Sequence, residues 1–137
     1  MREILFRGKR ESDGKWLYGL YTDHSVYGTD FPCIMPLRME KDDGDWAIIS
    51  ETVGQFTGFT DKNGAKIFEG DILALDDMDG SKGVYEVFWD SDNGKFAIAQ
   101  NGNRNYVDDF ELFERNECFK WFTVIGNIYD SPELLKE

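Results

Sequence analysis

The sequence predicts a mainly β protein: a small SH3-like barrel built from hairpins, with an N-terminal β arm and a short C-terminal helical turn. Aromatic side chains, which suit pleated and half-buried surfaces, make up 15% of the 137 residues. Asp-Gly or Asn-Gly, the pair typical of type I′ hairpin turns, occurs six times. These pairs begin at Asp13, Asp43, Asn63, Asp79, Asn93 and Asn101.

The segments between the turns predict strands because they are rich in aromatic and β-branched residues, several of them alternating with period two. In the second segment this alternation puts Trp16, Tyr18 and Leu20 on one face. We also expect the sixth segment, residues 95–98, to pair with the fifth, residues 84–89, across Asn93-Gly94. The predicted strands are residues 4–7, 15–21, 46–49, 71–75, 84–89, 95–98 and 121–128.

The remaining segments are less regular. Residues 22–44 contain two of the three prolines and predict an elaborated loop. Residues 108–118 fit a short helix or an extended connector equally well. Pro132 at a first helical position predicts one helical turn before the chain ends. We therefore divide one compact unit into an N-terminal β arm with its loop, residues 1–50, and a barrel-like β domain, residues 51–137.

Composition restricts the function. The net charge of −12 repels nucleic-acid phosphates and anionic membrane surfaces, so nonspecific nucleic-acid binding is not expected. No apolar run is long enough to span a bilayer, and the first seven residues do not resemble a signal peptide. Only two cysteines are present, far apart in the sequence. We expect a cytoplasmic protein with both thiols reduced.

One motif resembles a calcium loop. Asp77, Asp79, Gly80 and Glu86 could take four positions of an EF-hand loop, but Leu75 would then stand where the first ligand is needed. No helices flank the motif, and its last residue falls inside a predicted strand. A solvated hairpin tip is the better interpretation.

Other catalytic or metal-binding combinations are equally weak. His24 is the only histidine, and its spacing from Cys33 and Cys118 indicates neither a Cys-His nucleophile nor a complete zinc site. Carboxylate pairs such as Glu69 with Asp71 are expected by chance among 27 acidic residues. We predict no catalytic, cofactor-binding or metal-binding residues.

The turn Gly70-Asp71, followed by Ile72 and Leu73, favours the barrel. A glycine turn that enters an Ile/Leu-rich strand, followed by a loop and a long strand, is common in SH3-like barrels. Many functions share this fold, so the pattern supports an architecture and no activity.

The sequence also resembles a known family. Residues 53–72, VGQFTGFTDKNGAKIFEGDI, are similar to the signature of the YopX family. Residues 2–7, 16–19 and 124–135 fit the family as well, so the resemblance runs from end to end. The segments between these blocks match loosely, mainly residues 22–45 and 76–120.

The resemblance implies a small, mainly β protein encoded by phages and prophages of bacteria. It implies no activity and provides no catalytic or binding residues to carry over. The signature itself has a structural explanation, since Thr57, Asp61 and Asn63 could hydrogen-bond local backbone and fix two turns.

The functional prediction is a non-enzymatic interaction or accessory protein that binds a host or phage protein. One alternative is a nucleic-acid-associated module that stacks bases on aromatic residues beside a basic N-terminal stretch. In the opposing interpretation, the charged side chains of this first strand simply face water. The stretch consists of Arg2, Arg7, Lys9 and Arg10, with Phe6 and Trp16 nearby.

A second alternative is an acidic surface that imitates a phosphate backbone and occupies a DNA-binding host protein. Its residues would include Asp42, Asp43, Asp45, Asp76, Asp77 and Asp79. Apolar residues on both faces of the strands at residues 16–21 and 84–89 also predict a homo-oligomer, most simply a symmetric dimer.

Overall fold

The computed structural model of the protein describes residues 3–22, 32–36, 46–76, 82–104, 107–109 and 121–135. Within these ranges the chain is mainly β, as predicted, and contains two short 3₁₀ helices, Ser50–Thr52 and Pro132–Leu135. The strands are β1 (Phe6–Lys9), β2 (Trp16–Thr22), β3 (Cys33–Pro36), β4 (Gly54–Thr60), β5 (Lys66–Phe68), β6 (Asp71–Asp76), β7 (Lys82–Asp90), β8 (Lys95–Gln100), β9 (Val107–Asp109) and β10 (Phe122–Asn127).

The strands form two antiparallel sheets with the orders β3-β2-β1-β4-β5 and β10-β6-β7-β8-β9. The chain divides into two compact units, Met1–Phe56 and Thr57–Glu137, with the boundary inside β4.

The first unit has a small core of its own. β1 and β2 form a hairpin across the predicted turn at Asp13-Gly14, and Gly14 adopts a φ of 74°. The far edge of β3 is bonded to the segment that precedes the first 3₁₀ helix, through Cys33 to Ala47. Leu17, Ile34 and Ile48 pack together in this core, with Phe6 and Val53 against them.

The second unit holds the larger core. Side chains on one face of β6, β7, β8 and β10 pack into a single cluster with residues of β5. This cluster consists of Ile67, Leu73, Tyr85, Val87, Phe96, Ile98 and Phe122. On the other face of the same sheet, Phe88 packs with Ala97 and Ala99. Val87 and Phe88, on opposite faces of β7, are therefore both covered within one chain, whereas Trp89 near the end of the strand is 45% exposed.

Neither sheet closes into a barrel among the described residues, so the SH3-like barrel of the sequence prediction is not found there. The reason lies at the outer edge of β10. Lys62 donates its backbone N–H to the carbonyl of Phe122 (3.0 Å), and Val124 donates its own to the Asp61 carboxylate (3.0 Å). A turn therefore takes the hydrogen bonds that barrel closure would give to a strand.

Candidate interaction surface on the first sheet

Strand register places cationic and aromatic residues on one face of the first sheet. Directly opposed residues of an antiparallel pair point to the same side. Lys9 is opposite Trp16, and Arg7 is opposite Tyr18. Leu20 shares their side, because alternate residues of β2 point the same way. We call these five residues the aromatic face.

The other side of the same strands packs on the core of the first unit, so the aromatic face points away from that core. Leu17 lies between Trp16 and Tyr18 in the sequence and packs on Ile34 and Ile48. The predicted alternation of β2, with Trp16, Tyr18 and Leu20 on one face, is confirmed by this packing.

The face is unusually apolar for an accessible surface. Tyr18 is 46% exposed and Leu20 is 51% exposed, although both lie in the middle of the sheet. The Arg7 guanidinium lies 4.7 Å from the centre of the Trp16 ring, and the Lys9 ammonium lies 5.7 Å from it. These distances fit cation–π contacts on a ring that is half-buried.

The structure assembles only part of the predicted basic stretch. Arg7 and Lys9 reach Trp16, whereas Phe6 points to the core side and lies 6.0 Å from Tyr21, ring centre to ring centre. Arg10 lies 3.6 Å from the Asp13 carboxylate in the adjacent turn. The remaining arginine of the stretch, at position 2, lies outside the described residues.

The expectation that all charged side chains of this strand face water is wrong for Arg7. Its side chain is buried, with 6% of the residue exposed. Burial of this arginine under the Trp16 ring was not visible in the sequence, because it depends on the cross-strand register.

Residues of the family signature form hydrogen bonds that stabilise turns in this fold. The buried Asp61 carboxylate accepts hydrogen bonds from the backbone N–H groups of Asn63, Ala65 and Val124, at 2.8–3.0 Å. Thr57 donates its hydroxyl to the Ile67 carbonyl at 2.8 Å. The turn-fixing roles predicted for Thr57 and Asp61 are confirmed, and Asn63 takes part through its backbone.

The remaining buried carboxylates also have structural partners. Asp71 accepts a hydrogen bond from the backbone N–H of Phe68 at 2.7 Å and so shapes the turn into β6. Glu86 lies in β7 and pairs with Arg104 at 2.9 Å. Glu86 thus lies inside a strand, as the sequence analysis expected, while Asp77, Asp79 and Gly80 lie outside the described residues.

Other sequence candidates give no site in the described part of the chain. No group of three or more His, Cys, Asp or Glu side chains there is arranged to hold a metal ion. Cys33 is buried and forms no disulfide, whereas His24 and Cys118 lie outside the described ranges. No helix in those ranges is long and apolar enough to cross a membrane.

The fold and this surface define a mainly β protein with a prominent aromatic face. The YopX protein family matches residues 5–136, nearly the whole chain, and the protein belongs to this family. Its fold is similar to that of protein EF1440 from Enterococcus faecalis, a crystal structure with 23% sequence identity and a TM-score of 0.55. That similarity covers 99% of this chain and 100% of the other. No curated protein matches the chain.

Proposed function

We propose that the protein is a non-enzymatic interaction protein that binds a host or phage protein through the aromatic face. One observation carries this proposal: Tyr18 and Leu20 are about half exposed beside Trp16 and two cationic side chains. Trp, Tyr and Arg dominate the energetic centres of protein interfaces, and a contiguous exposed apolar patch is typical of interaction sites.

A protein suits this face better than a phosphate backbone does. Its most accessible side chains, Tyr18 and Leu20, are uncharged, and Arg7 is buried beneath Trp16. The net charge of −12 adds a long-range field that slows the approach of a polyanion. An apolar protein surface encounters neither obstacle.

The proposal includes phage or prophage origin, a cytoplasmic location and the absence of enzymatic activity. Membership of the YopX family supports the origin, because the resemblance to that family implies a phage- or prophage-encoded protein. The structural roles of the buried carboxylates Asp61, Asp71 and Glu86 support the absence of catalysis. Reproducible hydrolase, nuclease or transferase turnover that a single carboxylate substitution abolishes would overturn this part.

A photo-crosslinking amino acid at position 18 tests the docking surface in host cells. We expect one discrete cross-linked protein, identified by mass spectrometry. Leu20→Ser in the same chain is expected to reduce the yield about tenfold or more, since a central apolar anchor contributes about 2 kcal/mol or more to binding.

Ile125→Ser is the matched control, because Ile125 is a similarly exposed aliphatic residue, at 42%, in the second unit. It is expected to leave the cross-link unchanged. Equal loss in both variants, or a cross-link that Leu20→Ser does not weaken, would contradict the proposed surface. A cross-link to a second copy of the chain would reassign the face to self-association.

The second candidate is a nucleic-acid-associated module, favoured by the approach of Arg7 and Lys9 to the Trp16 ring. It predicts binding that weakens steeply with salt, because phosphate contacts release counterions. A flat anisotropy response with single and double strands at low salt would exclude this module.

The acidic DNA mimic remains a further proposal. Five of its six aspartates lie outside the described residues, and a host pull-down without basic proteins would count against it.

A further inference from the structure

A separate cleft lies in the second unit, at the end of the β7–β8 hairpin. Its volume is about 460 Å³, within the range of small-molecule sites. Phe88, which is buried on one face of the sheet, lines it together with Arg104. Trp89, which is 45% exposed, and five polar residues complete the lining: Asp90, Ser91, Asp92, Asn93 and Lys95.

Arg104 is held in a fixed orientation in this cleft. Its Nη2 and Nε atoms lie 2.9 Å and 3.4 Å from the two carboxylate oxygens of Glu86, the paired geometry that fixes a guanidinium plane. The guanidinium carbon also lies 4.5 Å from the centre of the Phe88 ring. The partner Glu86 is buried in the middle of β7 and is therefore itself fixed.

Glu86 holds one edge of the Arg104 guanidinium and Phe88 covers one of its faces, yet 56% of the Arg104 side chain is exposed. A guanidinium plane stacks favourably on flat π systems, and the entropy of ordering this side chain has been lost before any ligand arrives. Arg104 is therefore a preorganised platform for a planar group.

Charge determines which planar group fits. Glu86 already neutralises Arg104, and Asp90 and Asp92 outnumber Lys95 among the other charged lining residues. From residue 57 onward the chain has 17 acidic and 8 basic residues, so the surrounding field is negative. An anionic ligand is disfavoured, whereas a neutral ring that donates hydrogen bonds is not.

Asp90 supplies an acceptor for such donors. Its oxygens accept hydrogen bonds from the Asn93 side chain at 2.7 Å and the Asp92 backbone at 3.1 Å. The hydrogen bond from the Asn93 side chain lowers the pKa of Asp90, so this carboxylate is ionised at neutral pH. The backbone N–H of Asn93 also hydrogen-bonds Asp90, and a carboxylate has about four acceptor positions, which leaves room for one ligand N–H.

We propose that this cleft binds an uncharged nucleobase, as a free base or nucleoside, stacked on the Arg104 guanidinium with an N–H group directed to Asp90. Guanine suits the site best because its adjacent ring N–H and amino group give two alternative donors for the remaining acceptor position of Asp90. The proposal is independent of the aromatic face, which lies in the first unit.

Titration of the isotope-labelled full chain with guanosine, followed by NMR, tests this site. We expect chemical-shift changes confined to the cleft residues and saturable binding, with guanosine tighter than uridine. Guanosine 5′-monophosphate and a short single-stranded oligonucleotide are expected to bind more weakly than guanosine, because the negative field opposes phosphate.

Arg104→Lys keeps the positive charge and removes the plane, so it is expected to weaken guanosine binding about tenfold, as stacking contributes about 1–3 kcal/mol. Lys15→Ala, an exposed residue of the first unit, is the control and leaves binding unchanged. Because Arg104→Lys could also disturb Glu86, thermal unfolding is compared for each variant, and Asp90→Asn provides a second substitution at the end of β7. Three results would each overturn the proposal. The first is the absence of saturable chemical-shift changes in the cleft, and the second is guanosine binding by Arg104→Lys and Asp90→Asn that equals that of the wild type. The third is tighter binding of the nucleotide or the oligonucleotide than of guanosine.

Discussion

Asp61 shows how one side chain determines the local structure of the family signature. Three backbone N–H groups converge on its buried carboxylate, and one of them, from Val124, lies 63 residues away in the sequence. The sequence predicted the local bonds from the Asp-Lys-Asn-Gly pattern. It could not predict the bond to Val124, because nothing in local turn chemistry states which strand edge lies beside the turn.

Asp61→Ala tests this role. The change leaves three backbone donors without their acceptor at a buried position, so we expect the free energy of unfolding to fall by about 3 kcal/mol. Guanidinium denaturation followed by circular dichroism measures the effect.

Asp13→Ala is the matched control for Asp61→Ala. Asp13 is an exposed turn aspartate whose carboxylate accepts a hydrogen bond from the backbone N–H of Lys15 at 3.0 Å. We expect its loss to cost about 1 kcal/mol or less. Equal destabilisation by the two substitutions would show that Asp61 is merely another turn residue.

At the level of elements, turn chemistry was more informative than strand pattern. The turns at Asp13-Gly14, Asn63-Gly64, Asn93-Gly94 and Asn101-Gly102 are all present, with each glycine at positive φ. Only Asn101-Gly102 has positive φ at both positions, as a type I′ turn requires. The pairs at residues 43–44 and 79–80 lie outside the described residues.

Strands β6, β7, β8 and β10, and the C-terminal helical turn, were predicted close to where they occur. Three strands, β3, β4 and β9, were missed, and the predicted strand at residues 46–49 is present only as isolated bridges at Ala47 and Ile48. The sequences of β3 and β4 show why strands were missed. β3 lies inside the segment predicted as an irregular loop, and its last residue, Pro36, is tolerated at the end of a strand. β4 contains Gly58 with a φ of 93°, a conformation that the sequence alone does not associate with a strand. Both β3 and β4 form a strand because a neighbouring strand pairs with them, which the local sequence does not show.

The β8–β9 turn gives a test at this scale. Asn101 has a φ of 53°, where a β-branched side chain is strained, so Asn101→Val is expected to cost about 1–2 kcal/mol of stability. Asn101→Gly is expected to be neutral within about 0.5 kcal/mol. Thermal unfolding of both variants measures the difference.

Asn63→Val is the control for the Asn101 series. Asn63 also precedes a turn glycine and is exposed, but its φ is not positive, so the same substitution should cost less than Asn101→Val. Equal costs at the two positions would assign the effect to β-branching in turns generally, independent of backbone conformation.

For the whole molecule, the prediction of a homo-oligomer is tested most directly at the aromatic face. Val87 in the main core and Phe88 on the opposite side of β7 are covered by the chain itself, whereas Trp89 is 45% exposed. The outer edges of β3 and β10 are hydrogen-bonded to neighbouring segments, which discourages pairing of strands between copies. Tyr18 and Leu20, on β2, remain exposed.

Sedimentation equilibrium at micromolar concentration tests self-association through that surface. If copies pair there, the wild-type mass exceeds the 15.8 kDa of one chain, and Leu20→Glu restores a monomer, because a symmetric interface would place two buried carboxylates near its centre. Ile125→Glu, at a similarly exposed position of the second unit, should leave the oligomer intact. A wild-type monomer would show that the homo-oligomer prediction is wrong and that the aromatic face is available to a different protein.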